Sequence, residues 1–451
     1  MRSRVITFAL LLALTGVPAQ GNRYSFAPHL WVLHSLLEIR VPPPPAQGSA
    51  GLRAELREVR SVAAHRGGDQ IQRAAFWSGS PSFRPWFDIA TRLLTARPKD
   101  PPKVARDYAY LAVAINDAAV AAQAWSRVYD RSAPPVPRLF PATTPAYPSI
   151  DAAIAGAASR TLSALIPEYP ATVLDALGQQ AADSRVWAGT NVRSDVEAGL
   201  ALGRAVATRV IQRAESDGYG KPWNGARPHG KARWEPPPGT SGAPVQPLAG
   251  TWRTWVLGAG DRFRPPPPPA YGSPQFLAEA HEVIDMRAYL TPAQVASARY
   301  WAGGERKLSP ADMWTEFALA RVAQLDTLDA AGAMAMVDVA LADAGIATWD
   351  AKYAYWSPRP VNVIRDLGLA PDWTPLLATP LFPSYVSGHA AFSAAAAEVL
   401  GALFPEDDGR YWRMATDAAL SRLYGGIHFR SDCDAGLRLG RQVGRLVIAH
   451  G

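Results

Sequence analysis

The chain has 451 residues, 48% of them hydrophobic and 19% charged, which excludes a disordered chain and exceeds one compact core. Two or three packed units are expected at about 150 residues each. The net charge of +7 comes from Lys and Arg without a basic run or an interleaved aromatic platform, so attraction to small anions is expected and nucleic acid is not. Cys433 stands alone and excludes an intramolecular disulfide. Beside Asp432 and Asp434, which raise a thiol pKa, it is structural rather than catalytic.

The first residues, MRSRVITFALLLALTGVPAQG, join two arginines, an apolar run from Val5 to Leu14 and the small residues Val17 and Ala19. This pattern predicts an export signal over 1–20 and a periplasmic or secreted mature protein. The apolar run is shorter than the roughly 20 residues that span a bilayer, and no later span is expected.

Ala-rich stretches with apolar residues at 3.6-residue spacing and few β-branched runs predict an all-α protein. The sequence also resembles itself. SDVEAGLALGRAV at 194–206 matches SDCDAGLRLGRQV at 431–443 in nine of thirteen positions. SRVWAGTNVRSD from Ser184 answers SRLYGGIHFRSD from Ser421, and DAAIAGAASRTLSALIPE from Asp151 answers HAAFSAAAAEVLGALFPE from His389. VAINDAAVAA from Val113 answers VALADAGIAT from Val339. The order is preserved, so two tandem related helical bundles are predicted: an N-terminal half over 21–214, detectable as a repeat from about Gln70, and a C-terminal half over 276–451, detectable from about Pro292. Residues 215–275 are rich in Pro, Gly and Trp, with PPPPP at 265–269, and form an extended connector.

The copies differ where chemistry would matter. His389 faces Asp151 and His428 faces Asn191, Arg422 has its counterpart in Arg185, and no lysine answers Lys352. A shared scaffold explains matching apolar and Gly positions, but not two histidines present in one copy only. The site is therefore expected in the C-terminal half, in three clusters. AKYAYWSPRP supplies Lys352 and Arg359, FPSYVSGHAAF supplies Ser387, Gly388 and His389, and SRLYGGIHFRSD supplies Arg422, His428 and Asp432. A tetrahedral oxyanion needs several donors and compensating charge, which two guanidinium forks and an ammonium provide. An SGH turn opening a helix adds backbone N–H groups and the positive end of its dipole, with Gly388 allowing close approach. Two histidines allow one to bond the central atom and the other to move protons. Asp432 is placed to orient His428 or Arg422, or to cap a helix.

In this order and spacing, across about 80 residues, the clusters resemble the signature KxxxxxxRP, PSGH, SRxxxxxHxxxD of the type 2 phosphatidic acid phosphatase and vanadium haloperoxidase superfamily. Val386 stands where that family usually has proline, which touches turn rigidity more than chemistry. The resemblance implies that Lys352, Arg359, Ser387, Gly388 and Arg422 hold equatorial oxygens, that His428 is the apical group and that His389 is the acid and base. It implies either a haloperoxidase with His428 as axial ligand of vanadate, taking hydrogen peroxide and halide, or a soluble phosphatase acting on a phosphate ester through a phosphohistidine at His428 without a cofactor. Length, the doubled bundle, and Trp349 and Phe382 at aromatic positions near the halide site of fungal chloroperoxidases favour the haloperoxidase. A non-catalytic anion-binding helical protein is the third reading.

Overall fold

The computed structural model describes residues 29–98, 100–143 and 145–451, and among these the regular elements are all helices. The predicted export signal lies outside the described residues. The first half contains α1 (Ala50–His65), α2 (Gly68–Trp77), α3 (Arg84–Thr95), α4 (Pro101–Tyr129), α5 (Ile150–Leu165), α6 (Ala171–Ala188) and α7 (Arg193–Glu215). The second contains α8 (Pro274–Ala288), α9 (Pro292–Trp301), α10 (Pro310–Val322), α11 (Thr327–Tyr355), α12 (Pro360–Asp366), α13 (Gly388–Leu403), α14 (Asp408–Tyr424) and α15 (Arg430–His450). Helices α1 to α7 answer α8 to α11 and α13 to α15 in order, and α12 is the addition.

Local chemistry repeats with the helices. Ser49 and Ser273 cap α1 and α8, and Ser149 and Ser387 cap α5 and α13, each hydroxyl accepting from a backbone N–H of the first turn. The central helices α4 and α11 pack against each other, and each is followed by a left-handed residue, Asp130 (φ 44°) or Trp356 (φ 50°). Helix α11 also corrects one expectation. Residues Thr327–Asp366 include a window long and apolar enough to cross a membrane. That window is 94% buried by the protein's own packing, so the apolarity is that of a core helix enclosed by α4 and α13.

The correspondence reaches further upstream than the sequence resemblance. Asp117 accepts from the backbone N–H groups of Trp31, Val32 and Leu33, and Asp343 accepts from those of Trp255, Val256 and Leu257. Tyr129 and Tyr147 donate to the carbonyls of Val41 and Pro42, as Tyr355 and Tyr385 donate to those of Pro265 and Pro266. The start of each prolyl run, at 41–42 or 265–266, is thus tied to its own bundle by two phenol hydroxyls. Earlier in the 215–275 stretch, Trp234 is fully buried and its N–H donates to Trp356 O at 2.6 Å.

In both halves the last helix crosses an equivalent partner through glycines, α7 crossing α5 and α15 crossing α13. A Cβ at Gly436 of α15 would lie 2.6 Å from Ser387 O, and one at Gly440 would overlap Ala391 O. Gly199 and Gly203 of α7 meet Ser149 O and Ala153 O in the same way. This approach sets the distance between the SGH turn and the segment carrying His428.

Candidate oxyanion site

Lys352 lies in the last turn of α11 and is fully buried. Its Nζ donates to Pro383 O (2.7 Å) and Ser384 O (2.8 Å), so it is anchored on the loop before α13 with one of three donors still to place. Arg359 occupies the position before α12, the added helix. Its Nε donates to Phe382 O (2.9 Å) and its Nη1 to Ile427 O (2.7 Å), while Nη1 lies 3.0 Å from His428 Nε2. Its Nη2 is buried with no hydrogen-bond partner among the described residues. Arg422, in the last turn of α14, donates through Nε to Ser421 Oγ (2.9 Å) and through Nη2 to Ala298 O of α9 (2.9 Å).

The His428 ring is held from its other side. Asp432, in the first turn of α15, accepts at Oδ2 from Phe429 N (3.1 Å), His428 Nδ1 (2.9 Å) and Ser384 Oγ (2.5 Å). Arginine can only donate, so the short contact from Arg359 Nη1 requires a lone pair on His428 Nε2 and places the proton on Nδ1. Burial, then the neighbouring Arg359 and Lys352, push the His428 pKa well below its ordinary 6.5, which keeps the ring neutral. Burial raises the Asp432 carboxyl to about 6, opposed first by the Ser384 hydrogen bond.

The SGH turn faces this ring. Ser387 N donates to Asp432 O (2.9 Å), and Ser387 Oγ accepts from Ala390 N (3.4 Å). The peptide before Val386 is cis, as is its counterpart Tyr147–Pro148. Beyond its own turn, a Cβ built at Gly388 would meet Phe392 and Trp349 at 3.7 Å, an ordinary contact, so protein packing does not itself demand glycine there. His389 is half-buried and its Nε2 lies 2.8 Å from Trp301 O at the end of α9. A carbonyl only accepts, so this nitrogen carries hydrogen. Trp349 and Phe382 pack with ring centroids 5.1 Å apart, and Lys352 Nζ lies 5.1 Å from the Phe382 centroid. Trp349 Nε1 and Tyr353 Oη both donate to Val245 O, so the connector supports this aromatic wall.

Lys352, Arg359 and Arg422 are thus buried with one carboxylate, Asp432, among the site residues. Burial pushes Lys352 well below its ordinary value and lowers Arg359 to about 10 and Arg422 to about 9. Uncompensated buried cations are costly, and an anion beside the free Arg359 Nη2 relieves that cost. The donor set and the excess charge fit a tetrahedral oxyanion. Cys433 stays outside this chemistry: burial raises its thiol pKa, and Sγ donates to Ala419 O.

A family model described as the VCPO second helical-bundle domain matches residues 332–413 and 409–451. A vanadium chloroperoxidase of Curvularia inaequalis is 31% identical over 132 residues, a match spanning 23% of this chain and 22% of that protein. The crystal structure of a bacterial vanadium-dependent iodoperoxidase aligns with a TM-score of 0.68 and 27% identity, covering 81% of this chain and 95% of its own. Together these matches support placing the chain in the vanadium haloperoxidase and type 2 phosphatidic acid phosphatase superfamily. A bacterial vanadium-dependent chloroperoxidase in its apo form shares the fold at a TM-score of 0.59 and 18% identity, over 76% of this chain and 92% of its own. Both haloperoxidase alignments run through the two halves, whereas the family model covers only the second.

Within this superfamily fold, the first half keeps the scaffold of the pocket without its charges. Arg185 donates to Ser184 Oγ and Ala74 O, as Arg422 does to Ser421 Oγ and Ala298 O, but its Nη1 is paired with Asp151 at 3.4 Å. Asn191 donates to Ala146 O where His428 faces Arg359. The structure brings together the residues of all three sequence clusters. It adds Ser384 and the carbonyls of Ala298 and Trp301, which no motif signals because they act through a loop hydroxyl and backbone oxygens.

Proposed function

We propose that this chain is a vanadium-dependent haloperoxidase that binds vanadate in the second half and uses hydrogen peroxide to oxidise halide. The reading rests on one feature above the others: a neutral His428 whose Nε2 lone pair accepts from Arg359 Nη1, the Nη2 of the same guanidinium being buried without a partner among the described residues, in a pocket with surplus buried positive charge. The haloperoxidase relatives favour this reading over a phosphatase. Bound there, vanadate supplies a Lewis-acidic centre at which peroxide is activated for oxidation of halide to a hypohalous species.

In this proposal Lys352, Arg359, Arg422, the Ser387 hydroxyl and the Gly388 N–H would hold the anion's oxygens, and His428 Nε2 would hold its central atom. Asp432 fixes the ring through Nδ1. His389, at the first turn of α13, would serve as the site's proton donor and acceptor, and Trp349 and Phe382 would wall the halide pocket beside Lys352. We further propose export of the mature protein.

The test is oxidation of iodide, bromide and chloride by peroxide, read as halogenation of a phenolic dye, with and without added orthovanadate. Hydrolysis of an aryl phosphate is measured in parallel. Halogenation that depends on vanadate is the expected result. Aryl phosphate hydrolysis that vanadate inhibits, without halogenation, would replace this reading with the phosphatase, and neither activity would leave an anion-binding protein.

A further inference from the structure

Ser384 is fully buried in the loop between α12 and α13, three residues before the SGH turn. Its backbone is engaged on both sides: N donates to Ser357 O (3.1 Å) and O accepts from Lys352 Nζ (2.8 Å). Its hydroxyl donates to Asp432 Oδ2 at 2.5 Å and lies 3.4 Å from His428 Nδ1. With its proton committed to the carboxylate, Oγ presents a lone pair to Nδ1. It therefore acts as a second, longer acceptor for the proton that Asp432 already draws to that nitrogen.

The first half supplies the comparison. Ala146 stands at the equivalent position and its N donates to Arg131 O (2.7 Å), as Ser384 N does to Ser357 O. Its neighbour is Asn191, whose Nδ2 donates to Ala146 O. The backbone arrangement is common to both copies, whereas the hydroxyl occurs where the partner is an imidazole. A purely structural loop residue would not need this difference, because alanine already closes the same turn.

We propose that Ser384 is a positioning residue that helps hold His428 in its Nδ1–H tautomer, through the shared Asp432 oxygen, and so keeps the Nε2 lone pair on the Arg359 side of the ring, available to the oxyanion. Without the hydroxyl, Asp432 Oδ2 loses its shortest donor, the ring loses its second acceptor, and rotation about Cβ–Cγ is less restricted. Outer partners of a ligating histidine typically govern affinity by 10- to 100-fold. The inference rests on His428 as the axial ligand.

Its test uses the full chain with Ser384→Ala, and Ser384→Cys as a variant of similar size with a weak donor. Orthovanadate affinity is read by calorimetry and the His428 tautomer by 15N NMR of the anion-free protein. The expected result is at least tenfold weaker orthovanadate binding for S384A, appearance of the Nε2–H tautomer, and an intermediate effect for S384C. In an Asp432→Asn background, S384A should weaken binding no further, because serine acts through the carboxylate. Binding within twofold of the unmutated chain, weaker binding with an unchanged tautomer, or full additivity with D432N would each overturn the proposal. If the unmutated chain binds no orthovanadate, the axial-ligand reading fails, and the tautomer comparison still decides the role of Ser384.

Discussion

Substitution of Gly436 tests the link between helix packing and the site. A Cβ there would lie 2.6 Å from Ser387 O and 2.8 Å from the Ala390 Cβ, whereas ordinary carbon contacts sit at about 3.5 Å. Gly436→Ala therefore demands an opening of roughly 1 Å between α15 and the start of α13. Overpacking of this kind costs about 1–3 kcal/mol, and the better helix propensity of alanine returns roughly 1 kcal/mol. The net loss is on the order of 1 kcal/mol, a small shift of the thermal midpoint.

The effect on turnover should be larger, because α13 carries Ser387, Gly388 and His389 while His428 and Asp432 sit at the entry to α15. A 1 Å error in reacting geometry costs on the order of 10²-fold in rate. Gly199→Ala is the control: its Cβ would overlap Ser149 O in the half where Asp151 and Asn191 replace the histidines. Thermal unfolding and vanadate-dependent halogenation per folded molecule are measured for both variants. Comparable stability losses with a rate loss confined to G436A are expected. Equal rate losses in the two variants, or destabilised G436A with full turnover, would refute the reasoning.

His428→Ala should abolish both vanadate-dependent halogenation and any phosphatase activity, whereas Asn191→Ala should leave turnover nearly unchanged; retained activity in H428A sinks the site assignment. Arg359→Lys keeps a charge but cannot reproduce contacts to Phe382 O, Ile427 O and His428 Nε2 together. Orthovanadate binding by calorimetry should weaken by about 10- to 100-fold, and a change under twofold contradicts the role given to that fork. Asp338 is fully buried, takes one hydrogen bond from Thr315 Oγ1 (2.6 Å), and burial raises its carboxyl to about 7. The folded state then holds a proton that the unfolded chain releases near pH 4, so stability is lost as pH rises from about 4 to 7, by roughly 4 kcal/mol at most. Asp338→Asn should raise the thermal midpoint at pH 8 and leave it little changed at pH 4; an equal shift at both would show that ionisation is not the cause.

The helical architecture was legible because apolar periodicity and repeated caps are local signals. The site clusters were legible because Lys352, Arg359, Ser387, Gly388, His389, Arg422, His428 and Asp432 are spaced as a signature. Three features were not. The repeat upstream of α2 and α9 is carried by backbone N–H groups on Asp117 and Asp343 and by tyrosines on prolyl carbonyls, so flanking side chains are free to differ. Ser384 lies in a loop without periodicity, and its partner Asp432 is 48 residues away. The apolarity of α11 looked insufficient for a span in sequence, yet the helix meets that measure because nearly every face of it is enclosed.

Helix α12 has a consequence for how such a pocket is acquired. Helices α4 and α11 begin at residues 101 and 327, but α5 and α13 begin at 150 and 388, so the copies fall out of step between these pairs, where α12 lies. The guanidinium beside His428 therefore stands at the junction where the added helix begins, two residues past Ser357, the last residue matched to the first half. Chemistry can be added to a duplicated bundle through one connection while its glycine-packed crossings stay as they are. The unadorned first copy is accordingly a receptacle for engineering: a graft of residues 358–369 after Arg131, with Asn191→His, begins a second centre without redesigning a core.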